Sequence, residues 1–316
     1  MTAKDYLSKE EIKELLQKSN AKAVLELADT WFWIIASFAF VAVWTHPISI
    51  VIALFVLGGK QLACSIIMHD TSHHAQFKSK RSNEVLGNVF GGYPIFLDVE
   101  RYRPYHLSHH SYTGQDNDPD IGLTTGYPAG KLSFFRKVSR DLFGITGVKA
   151  AFGLIIIHAE LIKFTLGGGK PEWVTKEDRR GFYHVLSFFK HMVGPILVNT
   201  AMWLVLYLLG FGWLYLLWIG AYLTTYQFCL RIRSIAEHSV VPDRFDNQVN
   251  TRTTYANFVE KMLFAPHHVN YHSEHHLLMT VPSYNLPKMH KLLKERGFYE
   301  KGLLKLNYIE IIKLAA

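Results

Sequence analysis

The 316-residue chain is long enough for one or two domains, and 49% hydrophobic residues are sufficient to fill a large core. Its net charge of +8 is spread along segments that flank apolar runs, which favours anionic lipid headgroups as partners and argues against nucleic acid. The two cysteines, Cys64 and Cys229, lie inside apolar runs, so the sequence supports neither a disulfide framework nor a thiolate metal site.

The first 29 residues predict a cytosolic helix. Ser8 and Glu11 have the spacing of a capping box, and the apolar residues Ile12, Leu15 and Leu16 then share one helical face. This segment is charged from its start and lacks a short basic stretch followed by an apolar centre, so we expect no signal peptide.

Four apolar runs come close to the roughly 20 residues that a helix needs to cross the hydrocarbon of a bilayer. They occupy 30–45, 48–68, 191–209 and 211–230. Buried core helices would be an alternative, but no Lys or Arg lies in the short connectors within each pair, whereas the rest of the chain is rich in both. By the positive-inside rule, both termini and the long middle region are then cytosolic.

The predicted fold class is an all-α integral membrane protein with four transmembrane helices in two hairpins and a cytosolic helical cap. A single domain, 1–316, would comprise the N-terminal helix 1–29, the hairpin 30–68, the cytosolic region 69–190, the hairpin 191–230 and the cytosolic region 231–316. We expect a multi-pass protein of a bacterial inner membrane or the endoplasmic reticulum.

Several shorter segments carry weaker signals. The apolar stretch 142–166 is expected to lie at the membrane interface, because its charged residues recur on one stripe and a fifth crossing would separate the histidine clusters. Pro104 predicts a helix start. The glycine run 167–171 follows no strand and is only weakly indicative of a phosphate loop. In the tail, 287–296 and 301–314 predict helices.

Three short windows hold nine of the chain's 17 histidines. The apolar run that ends at Met68 leads directly into the first, and all three have spacings that place imidazoles on one helical face. The clusters are His69, His73 and His74; His106, His109 and His110; and His272, His275 and His276. The remaining histidines outside them, except His238, are expected to be ordinary core or surface residues.

Imidazole suits zinc, copper, iron and nickel, so ligand type leaves the metal open. Nine or ten histidines exceed the three or four ligands of one zinc site, and two metal ions with about five nitrogens each would use them all. We favour a dinuclear centre. The alternatives are a membrane zinc hydrolase, which needs a general base and an open zinc position, and a bis-histidine haem electron-transfer protein, whose axial ligands are usually isolated.

These motifs resemble the three histidine boxes of the membrane fatty acid desaturase and hydroxylase superfamily, spaced His-x3-His-His, His-x2-His-His and His-x2-His-His. The hydrophobic hairpins and the segment 282–287, followed by His290, are also similar to that superfamily. The resemblance implies two non-haem Fe ions, O2 as co-substrate and a lipid or acyl-chain substrate. Because no fused haem domain is recognisable, it also implies a separate electron-transfer protein of the ferredoxin, rubredoxin or haem type.

His238 is a tenth candidate ligand, since it follows the fourth run much as His69 follows the second, and Glu237 beside it could orient a ligand. The acidic segment 116–120 is either an ordinary turn or a source of carboxylates that orient imidazoles. Desaturation is favoured by the third box, while hydroxylation or ketolation would need only a different placement of the acyl chain, which sequence does not specify.

Overall fold

The structure is a computed structural model that describes residues 2–167, 171–175 and 181–316. Residues 168–170 of the glycine run therefore lie outside the described residues. The protein is mostly helical, with helices covering 69% of the chain, so the predicted class is confirmed at that level. The helices are α1 (Lys9–Leu15), α2 (Asn20–Val43), α3 (Pro47–Ser72), α4 (Lys80–Gly87), α5 (Val99–Tyr112), α6 (Ile121–Thr124), α7 (Lys131–Leu142), α8 (Ile145–His158), α9 (Gly181–Leu208), α10 (Tyr215–Leu223), α11 (Thr225–His238), α12 (Phe258–Leu263), α13 (His272–Leu277), α14 (Leu286–Glu295) and α15 (Tyr308–Ala315).

Among the described helices, α2, α3 and α9 are long and apolar enough to cross a membrane. The pair α7 and α8 becomes a fourth candidate if the two are taken as one span bent by 62°. The helices α2 and α9 begin about ten residues before the predicted apolar runs. At the start of α2, the Ser19 side chain caps the helix by accepting from the Lys22 amide.

The predicted fourth span, 211–230, is not one helix. It is divided at Thr224, whose φ of −121° and ψ of −88° are not helical, and α11 then continues to His238. The three to four candidate spans identify a membrane protein, while the arrangement in two hairpins with cytosolic termini stays a prediction.

The helix α3 lies at the centre of the fold and is almost fully buried from Leu57 to Ser72. Two glycines allow its neighbours to approach closely. A Cβ on Gly58 would lie 2.4 Å from Thr225 Oγ1 in α11, and a Cβ on Gly59 would lie 2.3 Å from the Met262 carbonyl oxygen in α12. These contacts fix α3 against both helices and so position the histidines at its end.

Two short strands, β1 (Arg252–Thr254) and β2 (Leu303–Lys305), pair in parallel. The tail prediction was therefore correct for 287–296, which forms α14, but wrong at the start of 301–314. Residues 303–305 pair with buried β1, and the last helix begins at Tyr308 after the Asn307 cap. Backbone pairing over a distance of fifty residues overrides the local helical pattern.

Candidate metal centre

The first histidine cluster sits where α3 ends. The helix continues beyond Met68 as predicted, so that His69 and His73 lie one turn apart with ring centroids 5.2 Å from each other. His74 follows with a left-handed φ of 53°, and its Nε2 lies 3.8 Å from Glu84 Oε1. This reversal of the chain directs His74 away from the other candidate ligands.

The second cluster lies on α5, which begins earlier than predicted. Asp98 caps the helix by accepting from the Arg101 amide, and Pro104 lies inside the helix rather than at its start. The side chains of His106 and His110, four residues apart, meet with their Nε2 atoms 3.0 Å from each other.

The third cluster combines with the end of α11. His272 Nε2 lies 2.8 Å from His238 Nε2, and His275 Nε2 lies 3.0 Å from His110 Nε2. His276 packs against both neighbours: its ring centroid lies 4.3 Å from that of His110 in box two and 4.8 Å from that of His238. Box three therefore contacts box two on one side and His238 on the other.

Nine of the ten candidate ligands form two groups whose possible ligand nitrogens lie within 4.8 Å of one another. His74 is in neither group. The group of five, called group one below, contains His69, His73, His106, His110 and His275. The group of four, called group two, contains His109, His238, His272 and His276.

The two groups adjoin, and boxes two and three are each divided between them. Histidines four residues apart in one box belong to the same group. His109 and His275, the middle members of boxes two and three, each belong to the other group from the two histidines that flank them. Adjoining sets of five and four imidazoles suit two neighbouring ions. They do not resemble a pair of isolated histidines facing each other across a haem.

Carboxylates form hydrogen bonds with the outer nitrogens of two candidate ligands. Asp70 Oδ1 lies 2.7 Å from His69 Nδ1, and Asp118 Oδ1 lies 2.8 Å from His109 Nδ1. Because an ionised carboxylate only accepts, Nδ1 carries the proton and Nε2 keeps its lone pair for the interior of the site. For the acidic segment 116–120, the structure thus favours an orienting carboxylate at Asp118.

Glu237 lies beside a different imidazole from the one predicted. Its Oε1 lies 3.4 Å from His272 Nδ1 and pairs with Arg233, whereas His238 Nδ1 faces the Asn250 carbonyl oxygen at 3.2 Å. Sequence adjacency suggested Glu237 with His238, but neighbours on a helix point in different directions.

Glu274 anchors box three from inside the protein. Its carboxylate is fully buried and accepts from the hydroxyls of Thr253 and Tyr299, and it also pairs with His290 Nδ1. His290 Nε2 in turn lies 2.9 Å from the Tyr255 hydroxyl. His290 is therefore a satisfied core histidine, as expected, yet it supports α13.

The electrostatics of the site favour neutral imidazoles. Burial lowers the pKa of His106, His272 and His276 well below its usual range, and lowers that of His238 to about 3. Burial acts in the same direction on His109, but the Asp118 hydrogen bond and the negative charges of Asp120 and Asp118 together outweigh it and raise the pKa of that imidazole. Most of these imidazoles are thus neutral at neutral pH, and each keeps one ring nitrogen as a lone-pair donor.

The spacing of these lone pairs fits metal binding. Two nitrogens bonded at roughly 2.0–2.1 Å to one ion, at right angles, are about 2.9 Å apart, which matches the Nε2 separations within the groups. Among the described residues, buried nitrogens such as His69 Nε2 and His276 Nε2 have no hydrogen-bond partner. A cation would satisfy them.

Sequence reasoning missed three residues around the site. Asp70 follows His69 directly, so its adjacency could have indicated its role. Tyr102 stacks on His106 with centroids 5.1 Å apart, one helical turn away, and this spacing was also visible. Arg233 is buried beside Glu237, and only the packing of α11 shows that it faces the site.

Long apolar helices that end in two adjoining groups of buried histidines define a membrane protein with a candidate two-metal centre. Residues 42–308 match the family model described as fatty acid desaturase. The chain belongs to that family, whose members include oxidoreductases, and the resemblance seen in the histidine boxes is confirmed.

The relatives of known function include desaturases and a ketolase. The chain is 27% identical to dihydrorhizobitoxine desaturase of Bradyrhizobium elkanii over 82% of its own length and 70% of the relative. It is 26% identical to sn-1 oleoyl-lipid 12-desaturase of a Synechocystis species, over 73% of this chain and 64% of that one. Beta-carotene ketolase of a Paracoccus species is 23% identical, over 78% and 81% of the two chains. The chain thus spans between 64% and 70% of the two desaturases.

Proposed function

We propose that the protein uses O2 to oxidise an unactivated C–H bond in a lipid acyl chain, and that the reaction is a desaturation. The observation that carries this proposal is the pair of adjoining imidazole groups at the end of a buried membrane helix. Membership of the fatty acid desaturase family and its desaturase relatives support the same reaction.

The proposed cofactor is a pair of non-haem Fe ions, one held by each histidine group. When bound, this pair supplies the electron transfer and O2 activation that protein side chains cannot perform. Group one offers five nitrogens and group two offers four. His74 is left out of the proposed ligand set, because its left-handed backbone places it outside both groups.

The overall reaction balances with an external reductant. Two neighbouring CH2 groups of the acyl chain lose one hydrogen atom each and become a CH=CH unit, which supplies two electrons and two protons. Two further electrons from a separate electron-transfer protein and two protons from solvent complete the reduction of O2 to two molecules of water.

The chain's own residues would hold the site rigid and dry. Asp70 and Asp118 would orient imidazoles through their outer nitrogens, Glu237 would stabilise His272 by its charge, and Tyr102 would cover one face of His106. Burial excludes bulk water, which protects a reactive centre from side reactions. The acyl substrate must be positioned within a fraction of an ångström for one hydrogen to be preferred.

A ketolase or hydroxylase is the second candidate, because the beta-carotene ketolase relative covers 78% of this chain. Both outcomes begin with removal of one hydrogen atom. They differ in whether a second hydrogen leaves or oxygen is transferred to the carbon, so a small change in the placement of the substrate separates them.

For the location, we propose a multi-pass membrane protein with both termini and the histidine groups on the cytosolic side. The distribution of Lys and Arg supports this orientation. A cytosolic centre would be accessible to a soluble or membrane-attached electron carrier, in agreement with the proposed source of electrons.

The test is expression in a host with defined lipids, followed by mass spectrometry of acyl chains formed under 18O2, with metal analysis of the same purified protein. Desaturation gives a mass loss of two hydrogens with no label, and hydroxylation or ketolation gives labelled oxygen in the lipid. Active protein that contains one zinc ion and no iron would contradict the proposal.

A further inference from the structure

A cavity of 360 Å3 lies on the flank of the membrane region, apart from the histidine groups. It opens between α2, α3 and the segment from α12 to His268. Ligand-binding cavities are usually about 300–1,000 Å3, so it is large enough for a polar headgroup. Its charged lining is formed by Glu26, Asp29, Lys60 and Lys261.

Lys60 is the central feature of the cavity. Its side chain is only 5% exposed, and its Nζ lies 3.4 Å from Asp29 Oδ2 and 6.0 Å from the centroid of the Trp33 ring. A buried ammonium needs anionic oxygens to replace its lost hydration. Asp29 supplies this poorly, because its own side chain is 56% exposed.

Two strained residues form the opposite wall. His267 and His268 both have a left-handed φ, at 50° and 59°, which is unfavourable for residues with a side chain. His267 Nε2 lies 2.7 Å from Thr30 Oγ1, so this wall is bonded to α2. Such strain persists only where surrounding structure imposes it, and it is concentrated at functional sites.

The positive charge of the cavity comes from its lysines. Burial lowers the pKa of His267 to about 3 and that of His268 to about 4, so both imidazoles are neutral at physiological pH. The cavity thus presents ammonium groups at Lys60 and Lys261, the carboxyl groups of Glu26 and Asp29, and the indole ring of Trp33.

The surroundings of the cavity suit a location at the level of lipid headgroups. Large apolar side chains that the protein leaves exposed flank its opening on both α2 and α12. They are Leu25, Phe32, Phe258 and Val259. Apolar residues beside a polar cavity are expected where hydrocarbon meets headgroups.

We infer that this cavity binds the headgroup of a zwitterionic phospholipid. The phosphate would pair with Lys60 and Lys261, and the ammonium would lie near Asp29 and the face of Trp33, which also attracts cations. The same headgroup could belong to a lipid of the surrounding bilayer or to the lipid whose acyl chain is oxidised. The inference does not depend on the metal chemistry proposed above.

The experiment measures binding of short-chain lipids to the purified full-length protein in nonionic detergent by native mass spectrometry. Three probes are compared. Phosphatidylethanolamine carries both a phosphate and an ammonium group, phosphatidic acid carries the phosphate alone, and diacylglycerol carries neither. We expect phosphatidylethanolamine to bind at least tenfold more tightly than the other two. Equal binding of all three would overturn the inference.

Variants locate the bound headgroup. Lys60→Met should weaken phosphatidylethanolamine binding at least tenfold, and Asp29→Asn should abolish its advantage over phosphatidic acid. Asp29 is largely exposed, so this second variant is expected to fold. Lys149→Met changes an exposed lysine outside the cavity and should alter the Kd by less than twofold. Unchanged Kd values in both cavity variants would also overturn the inference.

A further arm separates the two sources of the headgroup. If the substrate supplies it, Asp29→Asn should lower oxidation of acyl chains on phosphatidylethanolamine but not of those on phosphatidic acid. If a bilayer lipid supplies it, Asp29→Asn should leave the substrate preference unchanged. The same variant should lose the rise in Tm that phosphatidylethanolamine gives the unmodified protein. Either result supports binding in the cavity.

Discussion

Asp118→Asn is the substitution that tests the two-group arrangement most directly. Asp118 is buried, its Oδ1 bonds His109 Nδ1 at 2.8 Å, and its oxygens accept from the Gly114 and Asp120 amides, both at 2.9 Å. Asparagine keeps the shape and one accepting oxygen but removes the negative charge. The loop should therefore stay in place while the orientation and basicity of His109 are weakened.

The expected magnitude follows from the role of such carboxylates. Loss of an outer partner typically lowers metal affinity about 10–100-fold, which corresponds to about 1.4–2.7 kcal/mol. This loss should fall on group two alone, because His109 belongs to it. In group one, His69 is oriented by a separate residue, Asp70.

The assay is iron content after dialysis against a graded series of chelator concentrations, with Mössbauer spectra to distinguish the two sites. We expect one iron of the variant to leave at a 10–100-fold lower chelator concentration and the other to behave as in the unmodified protein. Asp116→Asn is the matched control, because Asp116 lies in the same loop with its side chain 88% exposed. Simultaneous loss of both irons, or no change in either, would refute the division into two groups.

Further substitutions test other parts of the structure. His238→Ala should leave about one iron per chain, whereas His74→Ala should keep both, as measured by metal analysis; equal iron in the two variants would contradict the ligand assignment. Gly147→Ala places a Cβ 2.1 Å from the Leu223 carbonyl oxygen and should lower stability by about 1–3 kcal/mol, seen as a lower Tm in detergent. Gly153→Ala on the same helix meets nothing within 4 Å and should be neutral or stabilising by up to about 1 kcal/mol. Chelator removal of metal should lower the Tm of the unmodified protein, because converging lone pairs lose their partner; an unchanged Tm would argue against a buried metal.

The composition of the site could be predicted from sequence because helical spacing is a local property. His69 and His73 lie one turn apart at the end of an apolar run, and this pattern alone predicted their shared face. How the boxes divide could not be predicted. The assignment of His109 and His275 to opposite groups depends on how α5 and α13 pack against α3, which is a long-range property.

The helical class of the fold was predictable from the length of the apolar runs and from the distribution of charge. The positions at which helices end were less predictable. Apolar length alone predicted 211–230 as one span, because hydropathy does not register the non-helical backbone at Thr224. The position of His74 outside both groups shows a similar limit. Its spacing from His69 is that of a histidine box, but α3 ends two residues before His74, at Ser72, and the chain then reverses.

The division of the boxes has a consequence for biogenesis. Neither group is complete until His275 and His276 have been synthesised, about 165 residues after the second box. At a synthesis rate of roughly 5–20 residues per second, a nascent chain would hold up to six box histidines without their partners for about 8–33 s. During that interval it could bind the wrong metal with partial ligand sets, so delivery of iron to the finished chain, rather than to the growing one, would favour correct assembly.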